Sequence, residues 1–102
     1  MYDLVLKGGR IYDGSGMPSF NGDVAVAGGE IVEIGRVKGA ARKTHNVDGL
    51  ALAPGFIDPH THLDAQLFWD PLGTSSCFHG VTSVILGNCG LSLAPTKPED
   101  RG

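Results

Sequence analysis

His60 and His62 stand one residue apart. On an extended backbone, side chains at i and i+2 project from one face, so the two imidazoles would lie side by side with Thr61 turned away. One metal ion can accept both. Asp58 shares their parity and is suited to orient an imidazole through its second ring nitrogen, as metal-ligating histidines generally require. A His-x-His alone arises readily by chance, so its surroundings have to carry the reading. The apolar run Gly55-Phe56-Ile57 leads straight into the pair, and a second strand-like run, Val81 to Leu86, closes on Gly87-Asn88-Cys89-Gly90. If those strands are parallel neighbours, Cys89 reaches the same end as the histidines, the end where barrel enzymes keep their chemistry. Two imidazoles and a thiolate with an open fourth position suit zinc. From pattern alone Cys89 reads equally as a small buried residue in a tight turn.

The remaining candidates have plainer readings. Asp64, two residues past His62, is within reach of a metal or substrate, although an exposed loop carboxylate is the simpler expectation. Trp69 is expected to pack its loop over a rim rather than line a pocket. His79 is expected to cap a helix end or bond a neighbouring loop, and His45 to be exposed. Cys77 is expected to face the core from a short helix. The pairs Gly8-Gly9 and Gly28-Gly29 read as hairpin turns and not as phosphate cradles, because no helix follows either.

The elements that must position these residues are short. Residues 2–7, the first glycine pair and Arg10 to Asp13 predict a hairpin; Asp13 to Pro18 is turn-rich; Asp23 to Ala27, the second glycine pair and Glu30 to Gly35 predict another. Val24 and Val26 share a face on which Ile31, Val32 and Ile34 are apolar enough to pack. Val37 to Thr44 is polar and irregular, and Asn46 to Gly49 is a turn before Leu50-Ala51-Leu52-Ala53. A boundary falls near Ala53-Pro54-Gly55. Beyond it, Leu72 to His79 can form one or two helical turns with Thr74 or Ser75 as cap and Gly80 as terminator, and Val81 to Leu86 is the best buried strand. Strand, short helix and strand in that order suggest the start of an α/β barrel with a parallel sheet. The tail from Pro95 to Gly102 has no apparent element of its own.

Composition bounds the function classes. One hundred and two residues allow one domain of ordinary size and exclude a full eight-stranded barrel. Hydrophobic residues at 41% and charged residues at 19% are a globular composition. Sixteen glycines and six prolines without a collagen period favour many short elements. Eight basic against eleven acidic residues give a net charge of -3, with no basic cluster beyond Arg42-Lys43, so neither nucleic acid nor an anionic membrane is an expected partner. No secretion signal or membrane span is visible, and two cysteines are too few for a disulfide scaffold; a reducing cytoplasm is the expected compartment.

Pro54-Gly55-Phe56-Ile57-Asp58-Pro59-His60-Thr61-His62 resembles the metal-binding signature of the amidohydrolase superfamily. Leu63 to Pro71, His79-Gly80-Val81-Thr82, Gly87-Asn88-Cys89-Gly90 and the opening Asp3 to Gly14 resemble its D-aminoacylase branch, the N-acyl-D-amino-acid deacylases. The resemblance covers almost the whole chain. It implies an α/β architecture: residues 1–53 as the amino-terminal part of a small β-sandwich, and 54–102 as the first β/α units of a metal-dependent (β/α)8 barrel, incomplete here. It further implies metal ligands at His60, His62 and Cys89, Asp58 and Asp64 as supporting or substrate-facing residues, one or two zinc ions, and hydrolysis of small N-acyl amino acids by metal-activated water. The family's later histidines and catalytic aspartate have no counterpart in the chain, so it is expected to be an amino-terminal segment, inactive alone and prone to self-association through uncovered strands. Two rival readings are a cyclic-amide hydrolase of the dihydropyrimidinase kind, which gives Cys89 no purpose, and a non-catalytic metal-binding β module.

Overall fold

A computed structural model of the chain describes residues 1–89 and 97–100. Gly90, the last residue of the predicted turn, and Pro95, Thr96, Arg101 and Gly102 of the predicted tail lie outside the described residues. Two compact units divide the chain, Met1–Pro54 and Gly55–Gly102.

The first unit is one mixed sheet. Strand β1 (Tyr2–Ile11) pairs antiparallel with β2 (Phe20–Ala27), which pairs antiparallel with β3 (Glu30–Gly35). On its other edge β1 runs parallel to β4 (Ala41–Asn46) and then to β5 (Ala51–Leu52). Gly28 and Gly29, with φ of 60° and 83°, make the expected hairpin turn between β2 and β3.

The first predicted hairpin does not form. Gly8-Gly9 lies inside the continuous strand β1, and the ladder with β2 shifts register between Leu6 and Gly9. A bulge absorbs the extra residue at Gly8, whose φ of 77° suits glycine, and β2 pairs with both halves of β1. Asp23 fixes the bulge: its Oδ1 accepts the Gly8 N–H at 3.0 Å, and its Oδ2 accepts Lys7 Nζ and the Val37 N–H, each at 3.1 Å. Lys7 Nζ also donates to the Val37 carbonyl at 2.7 Å. Burial pushes the Asp23 carboxyl up, but the Lys7 ammonium and the two N–H groups outweigh it and hold the pKa below the ordinary value.

The segment Val37 to Thr44 is likewise more regular than predicted, because β4 begins at Ala41 and takes up its second half. Its side chains are largely exposed, so no apolar alternation marks it in sequence; the strand exists because β1 offers it a parallel ladder. Val5 and its cross-strand partner Ala25 form the buried centre with Val37, and Tyr2 and Ala41 pack around them. Val24 is buried, and Ile34 and Ile31 stand directly opposite Val24 and Val26 in the ladder, although Ile31, Val32 and Ile34 all remain about half exposed or more. They belong to the outermost strand β3, where a register shift between Ala25 and Val26 interrupts the facing ladder.

In the second unit, β6 (Phe56–Asp58) and β7 (Val81–Val84) pair in parallel. Between them lie two single helical turns, α1 (Leu63–Gln66), which no sequence signal predicted, and α2 (Thr74–Cys77). The predicted cap of α2 is corrected. Gly73 holds the N-cap position, and Thr74 gives both its N–H and its hydroxyl to Asp70 Oδ2 at 2.9 Å. Gly80, with φ of 82°, ends the turn as predicted. The strand expected over Val81 to Leu86 stops at Val84 and is only partly buried, with Thr82, Ser83, Ile85 and Leu86 exposed, because its one partner among the described residues is the three-residue β6. The tail is not featureless: Pro98–Asp100 makes a 3₁₀ turn. Among the described residues no helix is long and apolar enough to cross a membrane.

Candidate metal centre

The parallel pairing of β6 with β7 carries their carboxyl ends to one side, and the ladder is prolonged by the Ile85 N–H donating to the Asp58 carbonyl at 2.9 Å. Extended backbone ends there. Pro59 has no N–H to continue a ladder, and the Asp58 carboxylate accepts the His60 N–H at 3.1 Å, bending the chain. His62, with φ of -105° and ψ of 22°, is already the N-cap of α1. The histidines are therefore placed by a bend and a helical turn, not by strand alternation, and Asp58 holds the backbone of His60 rather than an imidazole. Thr61 does turn inward: it is buried, and its hydroxyl donates to the Ile85 carbonyl at 3.2 Å.

The segment after β7 is drawn onto this bend. Asn88 Nδ2 donates to the Pro59 carbonyl at 2.8 Å, and the Gly87 N–H donates to Asp64 Oδ2 at 3.1 Å. Beside these contacts Cys89 Sγ lies 2.9 Å from His62 Nε2. Imidazole nitrogen and thiolate sulfur are both zinc donors, so this pair has the chemistry of two ligands of one ion. At 2.9 Å they are in direct hydrogen-bond contact. A tetrahedral zinc with bonds of about 2.3 Å to sulfur and about 2.0 Å to nitrogen separates its donors by roughly 3.5 Å, so accepting an ion requires the pair to spread slightly. His60 is exposed, and among the described residues no three His, Cys, Asp or Glu side chains converge as a metal-holding group.

Asp64 is half-buried in the first turn of α1 and not an exposed loop carboxylate. Asp70, which sequence reading passed over, organises the next stretch. Its Oδ2 accepts from Thr74 and also from Gln66 Nε2 at 3.1 Å, and these bonds, the Thr74 N–H first, lower its pKa. An Asx residue four positions before a helical turn is the signal that could have found it. Cys77 is exposed rather than core-facing, its thiol donating to the Thr74 carbonyl, because a single turn cannot bury a full face. Trp69 is 72% exposed and does not pack its loop down. His79 and His45 are exposed; the end of α2 is closed by the backbone N–H groups of His79 and Gly80, not by a side chain.

The pattern of residues in and around this bend matches the amidohydrolase family over residues 43–101. The chain belongs to the amidohydrolase family. It is 47% identical over 95 residues to the D-aminoacylase of Alcaligenes xylosoxydans xylosoxydans, a match covering 92% of this chain and 20% of that protein. A solved D-aminoacylase, described as having a binuclear metal centre, superposes with a TM-score of 0.88 at 41% identity, covering 94% of this chain and 20% of its own. The N-acyl-D-glutamate deacylase of Bordetella bronchiseptica, solved with zinc and a phosphonate mimic of the tetrahedral intermediate, gives a TM-score of 0.88 at 36% identity over 99% of this chain and 22% of its own. The chain thus spans about a fifth of the length of these amidohydrolases.

Proposed function

We propose that this chain supplies part of the zinc site of an amidohydrolase that cleaves the amide bond of N-acyl-D-amino acids. The observation that carries the reading is the contact between Cys89 Sγ and His62 Nε2 at the joined ends of two parallel strands, in a chain of this family. On this reading residues 1–53 are part of a small β-sandwich and 54–102 are the first β/α units of a (β/α)8 barrel. His60, His62 and Cys89 are ligands of one or two zinc ions. Bound zinc supplies Lewis acidity, making hydroxide available near neutral pH and favouring negative charge on the substrate carbonyl oxygen.

The residues of this chain bind and orient. When the ion is bound, His62 and Cys89 would donate to it, and His60, whose side chain is exposed, would be the third protein ligand. Asp58 fixes the His60 backbone through its N–H. No residue of the chain is assigned proton transfer, and the 102 residues alone are expected not to turn over substrate. The relatives named for D-aminoacyl substrates, together with a thiol beside a histidine, favour this class over cyclic-amide hydrolysis, which gives Cys89 no purpose.

A chimaera tests the proposal. This chain replaces the aligned segment of the Alcaligenes D-aminoacylase, and zinc content and hydrolysis of an N-acyl-D-amino acid are measured. Retained zinc and activity, both lost on His60→Ala, His62→Ala or Cys89→Ala, are the expected result; a folded chimaera that keeps full zinc content in the Cys89→Ala form overturns the ligand assignment.

A further inference from the structure

The pair His62 and Cys89 is exposed to solvent on one side and joins segments that are far apart in sequence, so something must hold the two segments in register. Two side chains outside the donor set do so. Asp64, from the first turn of α1, reaches forward to the Gly87 N–H, and Asn88, in the turn that carries Cys89, reaches back to the Pro59 carbonyl. Both bonds are donated by the segment after β7 and accepted by the segment after β6, each segment contributing one side chain, and they join the same two segments as the thiol–imidazole contact. The strand ladder itself ends at Asp58 and Ile85, so beyond it these bonds and that of Thr61 Oγ1 to the Ile85 carbonyl set the spacing. Gly87 has φ of 79° and no side chain to pack, which leaves this stretch dependent on hydrogen bonds to hold its course.

We infer that Asp64 and Asn88 are positioning residues for the metal site, a reciprocal clasp that fixes the Cys89 thiol against the His62 imidazole. The inference rests on the zinc-site reading given above. Asp64 acts here as a hydrogen-bond acceptor and not as a charge or a ligand, and Asn88 acts as a donor.

The test uses the 102-residue chain carrying Cys77→Ser, so that Cys89 is the one thiol, with Co²⁺ alone as the probe. Absorption from cobalt–thiolate charge transfer reports the bond to sulfur directly. In Asp64→Asn the side-chain carbonyl still accepts from Gly87, and the cobalt Kd is expected to stay within about twofold of the parent. In Asp64→Ala and Asn88→Ala the Kd is expected to rise by about tenfold or more, the size of effect usual for residues that hold metal ligands in place, while the far-ultraviolet circular dichroism is unchanged. Folded alanine variants that bind cobalt with the parent Kd and band intensity overturn the inference. Loss of binding in Asp64→Asn equal to that in Asp64→Ala overturns it too, since charge or direct ligation would then be the role of Asp64. If Asp64→Ala does not fold, Asn88→Ala, which removes one exposed side-chain bond, decides. His62→Ala separates the two levels: a parent without a thiolate band, or a band undiminished in His62→Ala, removes the metal site itself, whereas a band lost in His62→Ala but intact in the Asp64 and Asn88 variants removes the clasp alone.

Discussion

Cys89 Sγ lies 2.9 Å from His62 Nε2 across 27 residues of chain, and the contact exists because β6 and β7 are parallel neighbours whose ends are joined by side-chain bonds. A thiol in that position is shielded from alkylation when an ion occupies it, since the metal takes the sulfur lone pair an electrophile would use. In the Cys77→Ser background, saturating zinc is expected to slow iodoacetamide labelling of Cys89 about tenfold or more, and His62→Ala is expected to abolish most of that protection. Labelling rates followed by intact-mass spectrometry check this; a rate indifferent to zinc separates Cys89 from any ion.

The Lys7, Asp23 and Val37 contacts predict an acid limb in stability. The folded pKa of Asp23 is held below the ordinary 3.8, so between those two values the unfolded chain binds more protons than the folded one. The contribution is fully present above 3.8 and is lost as pH falls through the folded value. Urea midpoints measured from pH 5 down to pH 2 are expected to fall more steeply in the parent than in Asp23→Asn, which has no carboxylate to protonate. At pH 7 Asp23→Ala is expected to cost about 1–3 kcal/mol, because it leaves the Gly8 and Val37 N–H groups without their acceptor. Equal slopes in parent and Asp23→Asn would assign the acid sensitivity to other groups.

Much of the candidate site was legible in sequence because it depends on residue type and strand order. Phe56 to Asp58 and Val81 to Leu86 read as strands bounded by proline and glycine, and although the second ends at Val84, their parallel pairing brings Cys89 to His62 as expected. The route taken by the histidines was not legible, since alternation presumes an extended backbone and Pro59 with the Asp58 carboxylate ends it early. Strand β4 was hidden for a different reason: its exposed polar side chains carry no period, and only the distant β1 makes it a strand. Gly8-Gly9 shows the opposite error, in which a strong local turn signal is overruled by a partner strand that pairs on both sides of it.

Gly55 sets how closely β6 approaches β7. A Cβ added there would meet Thr82 Cγ2 and Oγ1 at 2.2 Å and Thr82 Cβ at 2.7 Å, and the last of these cannot rotate away. Gly55→Ala is therefore expected to destabilise the second unit by about 1–3 kcal/mol and to part the strands that bring Cys89 to His62. Adding Thr82→Ala relieves the contacts with Cγ2 and Oγ1 and is expected to recover part of the loss. Denaturant midpoints for the two single variants and the double variant check this, and strict additivity would show that the two positions do not meet.

Phe56, Phe68, Trp69, Leu72 and Phe78 are each at least two-thirds exposed, an unusual concentration of large apolar surface for a unit of this size. Burial of such surface is worth roughly 25 cal/mol per Å², so copies of the chain gain by covering one another. Sedimentation velocity is expected to show species larger than the 10.6 kDa monomer as concentration rises through the micromolar range. Replacing Phe68 and Trp69 with serine removes two of the most exposed rings without touching a hydrogen bond of the His62–Cys89 bend, so it is expected to shift the distribution towards monomer while leaving cobalt binding in place. A parent that stays monomeric throughout would mean that these rings are tolerated singly in water, and the double variant would then sediment identically.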